Sequence, residues 1–286
     1  MAGVASRRRF RGFARPEEQT MADTEKDQAP VIEQPKEKPP GLPLFYRDPR
    51  PVARDRYKGK GLKTLVNLSF AAGSNSVPLT IEEFAIAARD YPIVFSMERP
   101  ATPVAVLGFR RGENLYVDGQ GAWAEGHYIP GYVRRYPFIF MEMKDQKQFM
   151  LCIDEASGLI IDGGERPMFT GDDPSDLTKK ALEFCAAYHR QHMITRAFTE
   201  ELEAKGLLTS KVANVTLPGP RQVALQGIRQ LDEEKFKALD DQTLSAWHKN
   251  GYLFACHAAF ISQANWNVMA QRLGKRLNQG APAGRA

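Results

Sequence analysis

The chemically richest part of this 286-residue sequence is residues 123–140, where aromatic and arginine side chains are concentrated. Six residues in it are candidate ligand- or partner-binding residues: Trp123, His127, Tyr132, Arg134, Arg135 and Tyr136. Arginine offers a planar fork of donors to a carboxylate or phosphate, and tyrosine and tryptophan offer large faces for stacking. The segment predicts a site for a small anionic or planar ligand, or an interface with an unknown partner protein. The structural alternative is that the aromatic rings fill the core and both arginines pair with carboxylates.

A second candidate is the H-x-x-H pair, His189 and His192, on a predicted long helix. Side chains three residues apart share a helix face, so the two imidazoles could bind one Zn or Fe ion. The third ligand would have to come from His127, His248, His257 or a carboxylate. A metal-dependent enzyme is therefore the alternative function. A nucleophilic pair of Cys185 with His189, one turn apart, is less favoured still.

Other catalytic motifs are missing from the sequence. It has no phosphate-binding P-loop and no G-x-G-x-x-G that leaves a strand to open a helix, so a nucleotide-binding fold has no support. It also has no G-x-S-x-G nucleophile elbow. We therefore expect a non-catalytic protein with no catalytic residues and no cofactor.

The net charge of +5 suggests an anionic partner, but its distribution does not. Residues 1–20 contain five arginines and two glutamates, whereas the rest of the chain has 34 basic and 32 acidic side chains. Nucleic-acid binding is thus disfavoured, and residues 1–15 are the place for it if it occurs. The longest mostly apolar run, residues 252–261, is too short for a membrane helix, so no membrane insertion is predicted. Three widely spaced cysteines indicate reduced thiols and a cytoplasmic location.

Composition divides the chain into three parts. Residues 1–56 are basic and proline-rich, with eight prolines from Pro16 to Pro51, and are predicted to be a disordered leader. Translation could begin at Met1 or at Met21. Residues 57–276 are predicted to form a single domain, and residues 277–286 a frayed tail.

The patterns within the domain predict an α+β fold, with an antiparallel sheet in its N-terminal half and a long helix and helical C-terminal part packed against it. Thr80 and Glu83 form a capping box that should start a helix. Short apolar runs separated by turn residues predict strands at 65–70, 93–97, 103–109, 115–117, 137–143, 149–153 and 159–161. Further predictions are helices at 176–205, 232–239, 241–249 and 253–273 and strands at 212–217 and 223–228.

Several motifs in this domain resemble those of the bacterial SapC family. They are PLTIEEF at 78–84, ARDYPIVF at 88–95, VLGF at 106–109, GENLYV at 112–117, YVRRYPF at 132–138 and CIDE at 152–155. The resemblance covers about residues 60–275. The family takes its name from an association with surface-array (S-layer) genes and has no established activity, so the resemblance implies an accessory or binding protein, with a possible link to the surface layer or envelope. It supplies no catalytic residues.

Overall fold

The computed structural model describes residues 41–65, 67–143, 148–216 and 222–280. In these parts of the chain, helices and antiparallel strands form an α+β fold. The strands are β1 (Pro49–Pro51), β2 (Lys60–Leu62), β3 (Ser76–Pro78), β4 (Ile93–Phe95), β5 (Pro103–Val106), β6 (Phe138–Met143), β7 (Gln148–Asp154), β8 (Ile160–Asp162), β9 (Phe169–Thr170), β10 (Asp173–Pro174), β11 (Leu208–Thr216) and β12 (Gln222–Leu231). The helices are α1 (Arg54–Tyr57), α2 (Phe84–Ala87), α3 (Gly131–Arg134), α4 (Asp176–Ala204), α5 (Glu233–Lys237), α6 (Asp241–Asn250), α7 (Tyr252–Ser262) and α8 (Asn265–Gly280).

The larger sheet has five antiparallel strands in the order β11-β12-β4-β5-β3. Its central strand β4 is buried along its whole length, and α7 packs against β4 and β12. Side chains at the end of α7 fix this packing. The Ser262 hydroxyl oxygen accepts a hydrogen bond from the Ile93 amide (2.9 Å), and the Gln263 side chain donates one to the Ile93 carbonyl (2.9 Å). The main hydrophobic core is therefore built on β4.

A second sheet contains three antiparallel strands in the order β1-β7-β6. Helix α4 joins the two sheets. Cys185 in its N-terminal half packs into a small core with Phe138 and Ile153, while Phe198 and Leu202 near its C-terminus belong to the main core. The helix begins at a capped residue, because the Ser175 hydroxyl oxygen accepts a hydrogen bond from the Thr178 amide (3.3 Å).

The structure confirms the α+β class and several of the elements predicted from local signals. The capping box of Thr80 and Glu83 is present, although it opens a 3₁₀ turn at Ile81–Glu83 that leads into the short helix α2. The long helix ends within one residue of its predicted limits, and β11 and β12 form the predicted pair of strands.

Three predicted elements differ from the structure. The strand predicted at 115–117 is a turn, with an isolated bridge between Val117 and Trp123. Residues 253–273 form two helices instead of one, with Gln263 and Ala264 between α7 and α8. The Ser262 hydroxyl and the Gln263 amide both donate to the Ala259 carbonyl, and such side-chain bonds compete with helix continuation. The predicted strand at 65–70 is absent from the residues described there, which exclude Val66. A 3₁₀ turn forms at Ser69–Ala71 instead.

The folded part of the chain begins before residue 57, the predicted start of the domain. Tyr46 is completely buried and its hydroxyl donates to the Phe138 carbonyl (2.6 Å), while β1 pairs with β7. Proline is compatible with β1 because this strand lies at the edge of its sheet. At the other end, α8 continues to Gly280. Residues 1–40 and 281–286, which include the rest of the predicted leader and tail, lie outside the described residues. No helix of the described segments has the length and apolar character needed to cross a membrane.

Glu155 ties the N-terminal segment to the second sheet and gives the fold a pH-dependent contact. Its carboxylate accepts two hydrogen bonds from Arg56 (2.7 and 2.6 Å) and one from the Tyr57 hydroxyl (2.8 Å). Hydrogen bonding to Arg56, followed by that to Tyr57, lowers the Glu155 pKa from 4.5 to about 2. Because the pKa is lower in the folded state, the stabilising effect is present above pH 4.5 and is lost as the pH falls toward 2.

We expect Glu155→Gln to weaken the pH dependence of unfolding in this acid range, since the amide does not titrate. The measurement is the free energy of unfolding in urea at several pH values between 2 and 5. Glu165→Gln, at an exposed position, is the control. Equal pH dependence in Glu155→Gln and wild type would contradict the expectation.

Candidate functional site

A cavity of about 1090 Å³ runs along α4 between the two sheets. The five-stranded sheet contributes Phe95 and Ile228, and the second sheet contributes Ile139, Phe140 and Phe149. Its polar or aromatic lining residues include Asn75, Tyr132, Arg135, Tyr188, His189 and His192. The cavity therefore unites residues from the aromatic and arginine segment with both histidines of the H-x-x-H pair.

Arg135 follows directly after α3, and Glu83 holds the start of this helix. The Glu83 carboxylate accepts hydrogen bonds from the Gly131 amide (2.6 Å) and the Tyr128 hydroxyl (2.9 Å). Its other oxygen accepts from the amide and hydroxyl of Thr80 (2.8 and 2.9 Å). The capping carboxylate thus also anchors the turn of helix that carries Tyr132 and Arg135.

Close packing at the start of α3 favours glycine. A Cβ atom at Gly131 would lie 3.3 Å from Glu83 Oε1 and 3.4 Å from the ring of Tyr188. A side chain at this position would therefore crowd the Glu83 carboxylate, which would have to shift by a few tenths of an ångström.

Glu83→Gln is expected to destabilise the protein by about 2–4 kcal/mol, because one amide nitrogen would replace an oxygen that accepts two hydrogen bonds in a buried position. The free energy of unfolding in urea measures this. Glu82→Gln removes a carboxylate at the adjacent exposed position and should change stability by less than about 0.5 kcal/mol. Similar effects of the two substitutions would show that Glu83 is not the anchor of α3.

The Arg135 guanidinium lies among neutral aromatic side chains. Its central carbon is 4.0 Å from the ring centre of Tyr132, 4.6 Å from that of Tyr188 and 5.7 Å from that of Tyr46. Its Nε atom is buried and has no hydrogen-bond partner among the described residues. No carboxylate in the described ranges forms an ion pair with it; the groups near its charge include the hydroxyls of Tyr46, Tyr132 and Tyr188, the Cys185 thiol and His192. Arg135 is therefore a partly exposed cation with an enclosed Nε atom and no anionic partner among the described residues.

Arg229 shows how this protein otherwise satisfies a buried arginine. Its Nε donates to the Ser96 carbonyl (2.8 Å), and its terminal nitrogen donates to the Glu98 carbonyl and forms an ion pair with Glu203 (2.8 Å). Such pairing is the usual condition for burying a charge. Arg135 differs from Arg229 because no carboxylate among the described residues pairs with it.

Asn75 is a second unsatisfied polar group in the cavity wall. Only 4% of the residue is exposed, and its Nδ2 atom has no hydrogen-bond partner in the described part of the chain. Its backbone carbonyl is held by the amides of Leu107 (2.7 Å) and Gly108 (3.1 Å). Buried donors are rarely left unpaired, so Asn75 Nδ2 is a second unsatisfied donor among the residues that line this cavity.

Six residues of α4 reach the cavity: Cys185, Tyr188, His189, His192, Met193 and Arg196. Burial raises the pKa of the Cys185 thiol to about 12 despite the opposing charge of Arg135, and it also raises the pKa of the Tyr188 hydroxyl. Burial, then the neighbouring His189 and Arg135, lower the pKa of His192. At neutral pH the thiol is therefore protonated, which opposes a nucleophilic role for Cys185.

The H-x-x-H pair is placed next to aromatic rings. The ring of His189 lies 4.1 Å from that of Phe149 and 6.4 Å from that of Phe140, centre to centre. The described residues contain no group of three or more His, Cys, Asp or Glu side chains arranged to hold a metal ion. These residues therefore supply no third ligand for a Zn or Fe ion at His189 and His192, and a metal site there stays a prediction.

The other four candidate residues lie away from the main cavity. Trp123 donates to the Tyr91 hydroxyl (3.1 Å), and His127 contacts Arg272 (2.7 Å). Tyr136 stacks on Phe70 in the core, with its hydroxyl donating to Asp154 (3.1 Å). The exposed Arg134 donates to the Ile129 carbonyl and the Tyr128 hydroxyl. The six candidate residues of this segment are therefore divided among several environments, and Tyr132 and Arg135 are the two of them that line the large cavity.

A smaller cavity of about 380 Å³ lies on the other side of Arg135 and Cys185, which line both cavities. Arg134 and Tyr136 contribute to it. Three more cationic side chains complete its polar lining, namely Lys63, Arg166 and Lys180, and no acidic residue is among the lining residues described. The surroundings of Arg135 therefore favour negative charge on this side as well.

The fold and cavity define an α+β protein with a large, partly apolar cavity and an unpaired arginine in its wall. The family model for SapC matches residues 52–269, which is more than half of the chain, and the protein belongs to the SapC family. A search of curated proteins and a search of solved structures each gave no significant match.

Proposed function

We propose that this SapC protein is a non-catalytic binding protein that holds a small carboxylate against Arg135 in the large cavity. The observation that supports this function is the buried Arg135 Nε, which has neither a hydrogen-bond partner nor a carboxylate among the described residues. A buried charge is costly unless it is paired, so a protein that retains one gains if a ligand supplies the opposite charge. Arginine also matches the planar geometry of a carboxylate.

The residues around Arg135 support binding more than catalysis. The Cys185 thiol and the nearby tyrosine hydroxyls have raised pKa values and are protonated at neutral pH, and His192 has a lowered pKa and is neutral. Arg135 is thus a fixed positive charge next to neutral tyrosine and cysteine side chains in a partly apolar part of the wall. Such a wall strengthens its attraction for an anion and supplies no thiolate to attack one.

The cysteines support the cytoplasmic location that we propose with this function. Cys152, Cys185 and Cys256 are all free and buried. Burial raises the pKa of Cys256 to about 12 and that of Cys152 to about 11, as expected for packing residues that stay reduced.

Isothermal titration of the purified protein with benzoate tests the proposal. Benzoate combines a carboxylate with a planar ring, the two features that the arginine and aromatic wall can bind. We expect saturable binding of one benzoate per chain, together with an increase in unfolding temperature that grows with benzoate concentration. Absence of saturable binding for both benzoate and acetate would overturn the proposed function.

A further inference from the structure

The apolar side chains on the cavity wall indicate what chemical group could be attached to the carboxylate of the ligand. Phe149, Met193 and Met97 all line the cavity and are 48%, 52% and 52% exposed. Large apolar side chains with half of their surface in solvent gain free energy when an apolar ligand covers them. Methionine in particular adapts its shape to different apolar ligands.

The charge of the wall favours a ligand with one negative charge. Arg196 pairs with Glu200 (2.9 Å) and Arg111 has a partner, whereas no carboxylate among the described residues pairs with Arg135. His192 is neutral at pH 7 because of its lowered pKa. A monoanion balances one unpaired cation, whereas a phosphate dianion would leave one negative charge uncompensated.

The size of the cavity exceeds what a small carboxylate can fill. Its volume, about 1090 Å³, is at the upper end of the range of about 300–1,000 Å³ for small-molecule sites. A ligand bound only through its carboxylate would leave the apolar wall in contact with water. The volume therefore favours a ligand with an apolar body.

We infer that the ligand is an amphiphilic monocarboxylate, with its carboxylate at Arg135 and an acyl or aryl body against Phe149, Met193 and Met97. This inference rests on the proposed function and adds the ligand class to it.

Titration with acetate, butanoate, hexanoate and octanoate tests the inference. Each added methylene that is fully buried should tighten binding about fourfold. Inorganic sulfate and phosphate serve as probes that have charge but no apolar body. Equal affinities for acetate and octanoate, or tighter binding of phosphate than of octanoate, would overturn the ligand class and leave the proposed function intact. If no carboxylate binds, the proposed function itself fails.

Substitutions separate the apolar wall from the charged site. We expect Phe149→Ser and Met193→Ser each to weaken octanoate binding about tenfold or more and to leave acetate binding unchanged. Phe254→Ser is the matched control, because Phe254 is 66% exposed on α7 and does not line the cavity. Unchanged octanoate affinity in both wall variants, or equal losses in Phe254→Ser, would overturn the placement of the apolar body.

Discussion

Arg135→Met is expected to lower the affinity for benzoate about 30-fold or more. Removing the charged partner of a bound anion typically costs about 2–5 kcal/mol, because the remaining charge stays buried without compensation. Methionine keeps most of the apolar volume of the arginine side chain, so the shape of the cavity changes little. Isothermal titration of wild type and variant measures the difference.

The same substitution should not destabilise the ligand-free protein. We expect its free energy of unfolding to be unchanged or up to about 2 kcal/mol higher, because the variant no longer buries an unpaired charge. The lost contacts with the rings of Tyr132, Tyr188 and Tyr46 offset part of this gain. A loss of several kcal/mol would identify Arg135 as a structural residue.

Arg134→Met is the control for both measurements. Arg134 is adjacent in sequence but exposed, and it does not line the large cavity. It should keep benzoate affinity within about threefold of wild type, since it removes a charge without removing the contact. Equal losses of affinity in the two variants would indicate a general effect of positive charge and contradict a specific site at Arg135.

Arg229→Met is expected to destabilise the protein by about 3–5 kcal/mol, the opposite of the result for Arg135→Met. It breaks a buried ion pair and leaves Glu203 and the carbonyls of Ser96 and Glu98 without their donor. These contacts join β12 to the segment after β4 and to the end of α4. The free energy of unfolding in urea measures the loss.

Arg196→Met provides the comparison for Arg229→Met. Arg196 forms an exposed ion pair with Glu200 one helical turn away, which contributes less than about 1 kcal/mol. A small effect of Arg229→Met, equal to that of Arg196→Met, would show that the buried pair is not needed for the fold. It would also remove the difference between a paired and an unpaired arginine, which supports a ligand-binding role for Arg135.

Local sequence signals were sufficient to predict much of the fold. The Thr80 and Glu83 capping box and the apolar spacing along residues 176–205 depend on neighbours within one or two turns, so they could be predicted without tertiary information. The break between α7 and α8 could not, because it involves contacts of Ser262 and Gln263 with Ile93, about 170 residues away. The same holds for the burial of Tyr46 against β6.

The site was predictable only in part. The sequence indicated Arg134 and Arg135 as a pair of anion-binding residues. Successive residues on a helical turn point about 100° apart, so Arg134 is exposed to solvent whereas Arg135 lies in the cavity wall. The shared face of His189 and His192 followed from their spacing. Asn75 and Phe149 come from elements that are distant in sequence and line the cavity only in the folded protein. Their local sequence is that of an ordinary turn residue and an ordinary strand residue, so it did not indicate a site.

A crystal structure of the protein with 4-bromobenzoate would test the central proposal most directly, because the anomalous signal of bromine locates the ligand independently of the protein. We predict bromine in the large cavity and a carboxylate oxygen about 2.7–2.9 Å from a guanidinium nitrogen of Arg135, the distance of a charge-assisted hydrogen bond. Bromine found only in the smaller cavity or elsewhere, with the Arg135 guanidinium still without an anionic partner, would contradict the proposal.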